Sequence, residues 1–349
     1  MAYGTNSTLD TLASSQQTVA QFGEDNAFAA IEAARLAHNG IVTELLTGFV
    51  ERTTERLRRY GGPDAMVMDE LDQWGTPDAQ KIVAGSQVSF PLKLYGIAVQ
   101  WTRKYMQVAT TAELAAQFTA AQDADLNAII REIKRAIFYP TNYTFTDKLT
   151  DHVALSVKAL VNADGAPLPL DPNGTGFNAA THTHYLGTTA LVAADLTALI
   201  FTVIEHFSNG EAVVYINQAQ EAAVRALPGF TAYVDSRIVQ ATNAIGTTQA
   251  LDLINVYNRA IGIFNGAEII IKPWIPAGYL FAYLRGQPVP LAMRVRNAGS
   301  GNLEIAAEDE VHPLRARVLE REFGIGVWNR VNGAVLSLGT ATYSAPVLN

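Results

Sequence analysis

The chain changes its hydrophobic rhythm several times, and each change marks an element. Residues 6–22 carry Ser, Thr and Gln with few apolar positions, the pattern of an extended or mobile arm outside the core. From Asp25 to Tyr60, Phe28, Ile31, Leu36, Ile41, Leu45, Leu46, Phe49 and Val50 recur at mostly helical spacings and predict a helix. Asn39-Gly40 is expected to bend or split it, Arg56, Arg58 and Arg59 suit its C-terminal end, and Gly61-Gly62-Pro63 stops it. Over residues 64–108 the period shortens. Ala65-Met66-Val67-Met68 begins a strand, Gly75-Thr76-Pro77 turns, and Val88, Phe90, Leu92 and Leu94 then alternate with Ser89, Pro91, Lys93 and Tyr95, which predicts a long hairpin. Pro91 cannot donate to a ladder, so this strand belongs at an edge.

A long helix follows. Thr110 and Glu113 form a capping-box pair. Leu114, Phe118, Leu126, Ile129, Ile130, Ile133, Ile137 and Phe138 continue an apolar stripe up to Pro140. About 28 residues at 1.5 Å each give a rod of roughly 42 Å. Residues 141–188 are loop-rich, with turn signals at Asn162-Ala163-Asp164-Gly165 and Asp171-Pro172-Asn173-Gly174. Beyond them the pattern is compact α+β. Helices are predicted over 193–207 and 218–227 and strands over 212–216 and 279–283. A hairpin pairs 260–264 with 267–271 across Asn265-Gly266. The tail, 291–343, holds further strands and a dense run of Arg and Glu.

Composition narrows the class. The chain has 349 residues, 49% hydrophobic and 17% charged, and no cysteine, so it can build a sizeable core without disulfides or thiolate metal sites. Its formal charge of −8 argues against avid binding of nucleic acid through the whole surface. It does not exclude a wall around DNA, since weak repulsion suits a container whose contents must pack and later leave, but charge alone favours a plain soluble acidic protein. No apolar run approaches the roughly twenty residues that span a bilayer, and Met1–Ser7 resembles no secretory leader.

Signals for chemistry are sparse. Gly299-Ser300-Gly301 and Gly324-Ile325-Gly326 lack the third glycine of a phosphate loop, and no Gly-x-Ser-x-Gly elbow occurs. His182 and His184 would share one face of a strand, as two metal ligands could, but no third ligand sits at a recognisable spacing. Glu304, Glu308, Asp309 and Glu310 could supply paired carboxylates, though clustered acids commonly face solvent or a neighbouring subunit. The run Arg315-Ala316-Arg317-Val318-Leu319-Glu320-Arg321-Glu322 reads as an exposed ion-laced stretch or a subunit contact. The expectation is therefore no catalytic residue, no bound cofactor and no metal. The alternatives are a metal-dependent hydrolase using His182, His184 and the acids of 304–310, or a carbohydrate- or receptor-binding module on 141–188.

Three stretches carry a family resemblance. They are Gly210-Glu211-Ala212-Val213-Val214-Tyr215-Ile216-Asn217 with Ala222–Gly229, Gly266-Ala267-Glu268-Ile269-Ile270 with Ile275-Pro276-Ala277-Gly278, and Glu320-Arg321-Glu322-Phe323-Gly324-Ile325-Gly326-Val327-Trp328-Asn329-Arg330 before Ala334-Val335-Leu336. With the layout of arm, hairpin, long helix and α+β domain, the chain resembles the major capsid proteins of tailed bacteriophages, the Hong Kong ninety-seven fold. The resemblance implies an N-terminal arm (1–24), a helical segment of a peripheral domain (25–62), an extended hairpin loop lying over a neighbouring subunit (63–105), a spine helix with a loop-rich connection (106–190), an axial domain (191–290) and return strands (291–349). It implies a virion protein, assembled in the host cytoplasm as hexamers and pentamers of an icosahedral head around double-stranded DNA. Neither sequence-specific DNA binding nor a membrane is involved, and the partners are scaffolding, portal and cement proteins. An encapsulin-like cellular shell is the related alternative. Some members cross-link through a lysine–asparagine isopeptide; Lys81 with Asn329 or Asn332 could be imagined as such a pair, but no motif fixes it.

Overall fold

The computed structural model describes residues 7–15, 17–60, 68, 70–71, 73–75, 86–233 and 258–348. Helices α1 (Ser7–Ser14), α2 (Val19–Phe22) and α3 (Glu24–Leu46) come first, then strands β1 (Val50–Thr53), β2 (Leu57–Tyr60), β3 (Ser86–Ser89) and β4 (Lys93–Thr102). A short α4 (Arg103–Val108) leads into α5 (Thr111–Phe138), followed by β5 (Tyr143–Thr146), β6 (Ala154–Val157) and β7 (Tyr185–Thr188). The next third holds α6 (Ala193–Ile204), β8 (Glu211–Ile216), α7 (Glu221–Arg225), β9 (Phe230–Ala232), β10 (Arg259–Phe264), β11 (Ala267–Ile271) and β12 (Tyr279–Arg285). Strands β13 (Leu291–Arg294), β14 (Glu304–Val311), β15 (Leu314–Val327) and β16 (Ala334–Leu338) close the chain. No described helix is long and apolar enough to cross a membrane.

The long helix is built as its sequence predicts. The Thr110 hydroxyl accepts from the Glu113 N–H at 3.2 Å, and the Glu113 carboxylate accepts from the Thr110 N–H at 3.0 Å, a cap of about 1 kcal/mol. Along its first half Leu114, Ala115, Phe118 and Ala121 pack with Leu9, Leu12, Phe28, Ile31, Val99 and Trp101. Along its second half Ile129, Ile133 and Ile137 meet Val42 and Leu46 of α3 and residues of both large sheets. One rod thus carries two cores.

The sheets explain why some strands alternate and others read as solid apolar runs. In the seven-stranded sheet, ordered β7-β16-β12-β8-β11-β10-β9, Val213 and Tyr215 of β8 enter the α5 core while Ala212, Val214 and Ile216 pack under α6. Likewise Phe281 and Tyr283 of β12 face α5, and Leu280, Ala282 and Leu284 face α6. Both faces are covered, so polar alternation disappears. The β10–β11 turn is the predicted one, with Asn265 and Gly266 both at positive φ, as a two-residue hairpin of this hand requires. The five-stranded sheet runs β1-β13-β15-β14, with β4 also paired to β15 from Lys93↔Phe323 to Thr102↔Leu314.

Three expectations are corrected. Residues 7–22 are core-forming: Leu9, Leu12 and Val19 are buried, and the Thr111 hydroxyl donates to the Leu12 carbonyl at 2.9 Å. Few apolar positions suffice there because Leu9 and Leu12, three residues apart on α1, and Val19 on α2 all enter the same core. The helix of 25–60 runs unbroken through Asn39-Gly40 and stops at Leu46. Gly48, at φ +97°, turns the chain out, so Phe49 and Val50 leave the helical repeat, and Arg56, Arg58 and Arg59 lie at or on β2 rather than on a last helical turn. Within the expected 63–105 loop, residues 93–102 pair with their own chain's β15, with Val99 and Trp101 buried. The expected strand at 65–67 lies outside the described residues.

A polar knot joins α3, α5 and β15. Arg321 is almost wholly buried and donates bidentately to Asp125, Nε to Oδ1 at 2.7 Å and Nη2 to Oδ2 at 2.8 Å. Its remaining hydrogen bonds go to the Gly301 carbonyl at 2.7 Å and Asn39 Oδ1 at 2.8 Å, and His38 Nε2 reaches Asp125 at 2.8 Å. Burial alone would raise the Asp125 carboxyl, but hydrogen bonds from His38 and Arg321 and the Arg321 charge outweigh it and hold it below the ordinary carboxylate value. The same strand carries two close approaches. A Cβ on Gly324 would stand 2.2 Å from the Pro91 carbonyl oxygen, and one on Gly326 3.1 Å from the Phe90 ring, so these glycines are where residues 89–91 cross β15.

Two outcomes follow. Asp125→Asn leaves a buried guanidinium without its counter-charge and should lose about 3–5 kcal/mol in urea unfolding. Because the folded carboxyl titrates lower than the unfolded one, this contribution is fully present above the ordinary carboxylate value, and the gap to wild type should close as pH falls below that value through the lower folded one. Gly324→Ala forces backbone apart and should cost at least about 1–3 kcal/mol in the same assay.

Candidate assembly surface and histidine cluster

Strands β2 and β3 form a two-stranded ladder, Leu57↔Ser89 to Tyr60↔Ser86, which is the root of a hairpin whose connecting residues are 61–85. The root is anchored from several sides. Val88 and Phe90 are buried with Ala292. Arg294 Nη1 donates to the Phe90 carbonyl at 3.1 Å and to the fully buried Asp147 at 2.8 Å. Arg56 holds Asp151 with two contacts of 2.8 Å, and its own carbonyl accepts from the Phe90 N–H at 3.0 Å. Arg58 pairs with Glu51 and Glu55, and its guanidinium carbon lies 4.7 Å from the Trp328 ring centre. Of the arginines expected at a helix end, Arg56 and Arg58 therefore fasten the hairpin root. Beyond the root, Met68 and Trp74 are 98% and 85% exposed, and Leu71 is exposed as well.

The acidic cluster is placed on β14, a strand at the edge of its sheet. Glu308 lies opposite Arg317 and pairs with it at 2.8 Å; Glu310 lies opposite Arg315 at 3.7 Å. These acids are spent on cross-strand ion pairs, and charge along an edge strand discourages unwanted pairing. The mixed-charge run divides by face: Arg321 is the buried knot, Arg317 stacks over Phe28 with its guanidinium carbon 3.7 Å from the ring centre, Arg315 reaches Glu24, and Glu322 binds Arg296 at 2.7 Å. The reading of the run as wholly exposed or subunit-facing is thus corrected at Arg321.

His182 and His184 behave differently. They lie just before β7 and meet residues absent from their sequence neighbourhood, Glu205 and His206, just past the end of α6. The three Nε2 atoms form a near-equilateral triangle, His182 to His184 at 3.1 Å, His182 to His206 at 3.1 Å and His184 to His206 at 3.0 Å. Glu205 Oε1 stands 3.4 Å from His182 Nε2 and 3.9 Å from His206 Nε2. His184 Nδ1 donates to the Gly333 carbonyl at 2.7 Å. Phe177 lies against two of the rings, its centre 4.7 Å from His182 and 4.3 Å from His206. Burial pushes the imidazoles down, His184 well below its ordinary value, His206 to about 3 and His182 lower than usual, while it pushes the Glu205 carboxyl up. Sequence spacing offers the histidine pair no third partner; Glu205 and His206, 21 to 24 residues further on, are joined to it only by the fold. The acids of 304–310 belong to a different sheet and do not take part.

No protein-family profile and no curated protein matches the chain. Among solved structures, that of Mycobacterium phage Patience aligns over 91% of this chain and 89% of that chain, with 20% identity and a TM-score of 0.69. The fold is that of a tailed-phage major capsid protein. Weaker likenesses extend to the capsid of an empty GTA particle, at 13% identity, TM-score 0.46 and coverage of 84% and 90%. An encapsulin complex from Synechococcus elongatus aligns at 10% identity, TM-score 0.44 and coverage of 88% and 90%. In this capsid fold Asn332 is unsuited to a cross-link, because it is buried and its side chain bonds both backbone groups of Leu284, at 2.8 and 3.0 Å, and the Pro288 carbonyl at 2.8 Å. Asn329 donates to the Pro288 carbonyl at 3.1 Å, and Lys81 lies outside the described residues.

Proposed function

We propose that this chain is the shell-forming subunit of a tailed-phage head, in which copies join as hexamers and pentamers around double-stranded DNA. The observation that carries the reading is the hairpin, whose root is fixed by Arg56, Arg58, Phe90 and Arg294 while Met68, Leu71 and Trp74 stand exposed on its connecting segment. A rigid root under exposed apolar side chains suits a loop that lies on a second copy. Large exposed side chains of this kind are costly to a lone subunit and useful at a contact. Contacts repeated head to tail between identical subunits close into rings. In this reading α5 with the five-stranded sheet forms the peripheral part of the subunit and the seven-stranded sheet with α6 the axial part. The net charge of −8 suits a wall that holds DNA without gripping it. Scaffolding, portal and cement proteins are the partners such a head employs, and the virion is its location.

Expressed full-length chain, supplied with scaffold if needed, should form shells, rings or tubes in electron micrographs. The double variant Met68→Asp, Trp74→Asp should keep the far-ultraviolet circular dichroism of the wild type and lose closed particles. A wild-type chain that stays monomeric at high concentration in every salt, scaffold included, overturns the reading.

A further inference from the structure

The geometry points to a divalent-metal site of the zinc type, formed by His182, His184 and His206 with Glu205 as the fourth ligand. Zinc takes histidine nitrogen and carboxylate oxygen at about 2.0–2.1 Å in a tetrahedron, which sets donor atoms roughly 3.3 Å apart. The three Nε2 atoms stand 3.0 to 3.1 Å from one another, and the carboxylate oxygen 3.4 Å from the nearest of them. An ion slightly above the nitrogen triangle, on the side of Glu205, is therefore within bonding reach of all three rings.

The protonation pattern fits. A backbone carbonyl can only accept, so His184 carries its hydrogen on Nδ1 and turns a bare Nε2 into the cluster. This is the outer contact that orients a metal-binding imidazole and fixes its tautomer. Three imidazoles that converge through the same nitrogen cannot all satisfy one another by hydrogen bonds, since each neutral ring brings one hydrogen to two nitrogens. One cation satisfies all three lone pairs at once. The carboxylate at the more open corner closes the coordination shell, which favours a structural ion over a catalytic one. Imidazole and carboxylate in tetrahedral array select zinc over the hard cations calcium and magnesium, which take oxygen donors.

The site also sits where a staple has something to hold. His182 and His184 belong to a segment paired backbone to backbone with residues 161–163, which Arg330 fastens through the carbonyls of Ala159 and Leu160 and the side chains of Asn162 and Asp164. Glu205 and His206 directly follow the helix covering the seven-stranded sheet. An ion between them ties the loop-rich 158–184 segment to that sheet, with Phe177 shielding the rings.

The test uses full-length chain purified without a polyhistidine tag. Wild type should retain a single zinc per chain by elemental mass spectrometry. Stripping with a chelator should lower its melting temperature, and zinc should restore it. Cobalt loading should give the visible absorption of a tetrahedral ion. His182→Asn and Glu205→Gln alter the two less buried ligands; each should fold, as judged by circular dichroism, and the histidine variant should lose at least the roughly 10–100-fold in zinc affinity that even an outer-shell change costs. Wild type that takes up no zinc at saturating concentration and shows no change in melting overturns the inference, as does equal zinc affinity in His182→Asn. The inference is independent of the shell reading: a chain that binds zinc without assembling leaves the site standing, and a shell without zinc removes it.

Discussion

The bidentate contact between Arg321 and Asp125 ties three elements, α3, α5 and β15, at one point. It lies midway along α5, between the apolar stretch that packs with α1 and α3 and the one that packs with the two sheets. A buried ion pair adds little net stability over well-packed hydrophobics, because desolvation offsets attraction. What it adds is position. The guanidinium uses its donors on Asp125, Asn39 and the Gly301 carbonyl together, so a slip of β15 by one residue would swing it to the opposite face. With β15 held in register, β4, β13 and β14 are placed along it, and the root of the hairpin is placed in turn.

The root then depends on a second constraint, the absence of side chains at Gly324 and Gly326. Residues 89–91 pass over β15 so closely that the Pro91 carbonyl occupies the space of a methyl group. Arg294 reaches the Phe90 carbonyl in the same crossing. Glycine spacing that fails as a phosphate loop is thus explained by one strand making room for another.

Much of the fold was legible in the sequence where local rules act alone. The capping box at Thr110 and Glu113, the 28-residue stripe and the Asn265-Gly266 turn each contain their own cause within a few residues. Legibility failed where distant chain supplies the partner. Leu9, Leu12 and Val19 looked too sparse to be core because the helices that cover them lie elsewhere. Phe49 and Val50 kept a helical spacing by coincidence, and only Gly48 marks the departure. The histidine pair was visible, but Glu205 and His206 are brought to it by the packing of α6, and no spacing rule links the two. Arg321 is indistinguishable in sequence from its charged neighbours, because sequence shows charge and conceals which face of a strand turns inward.

Strands β8 and β12 place alternate side chains into two different cores, one beneath α5 and one beneath α6. A tilt of either core against the other would therefore have to bend strands that both of them share.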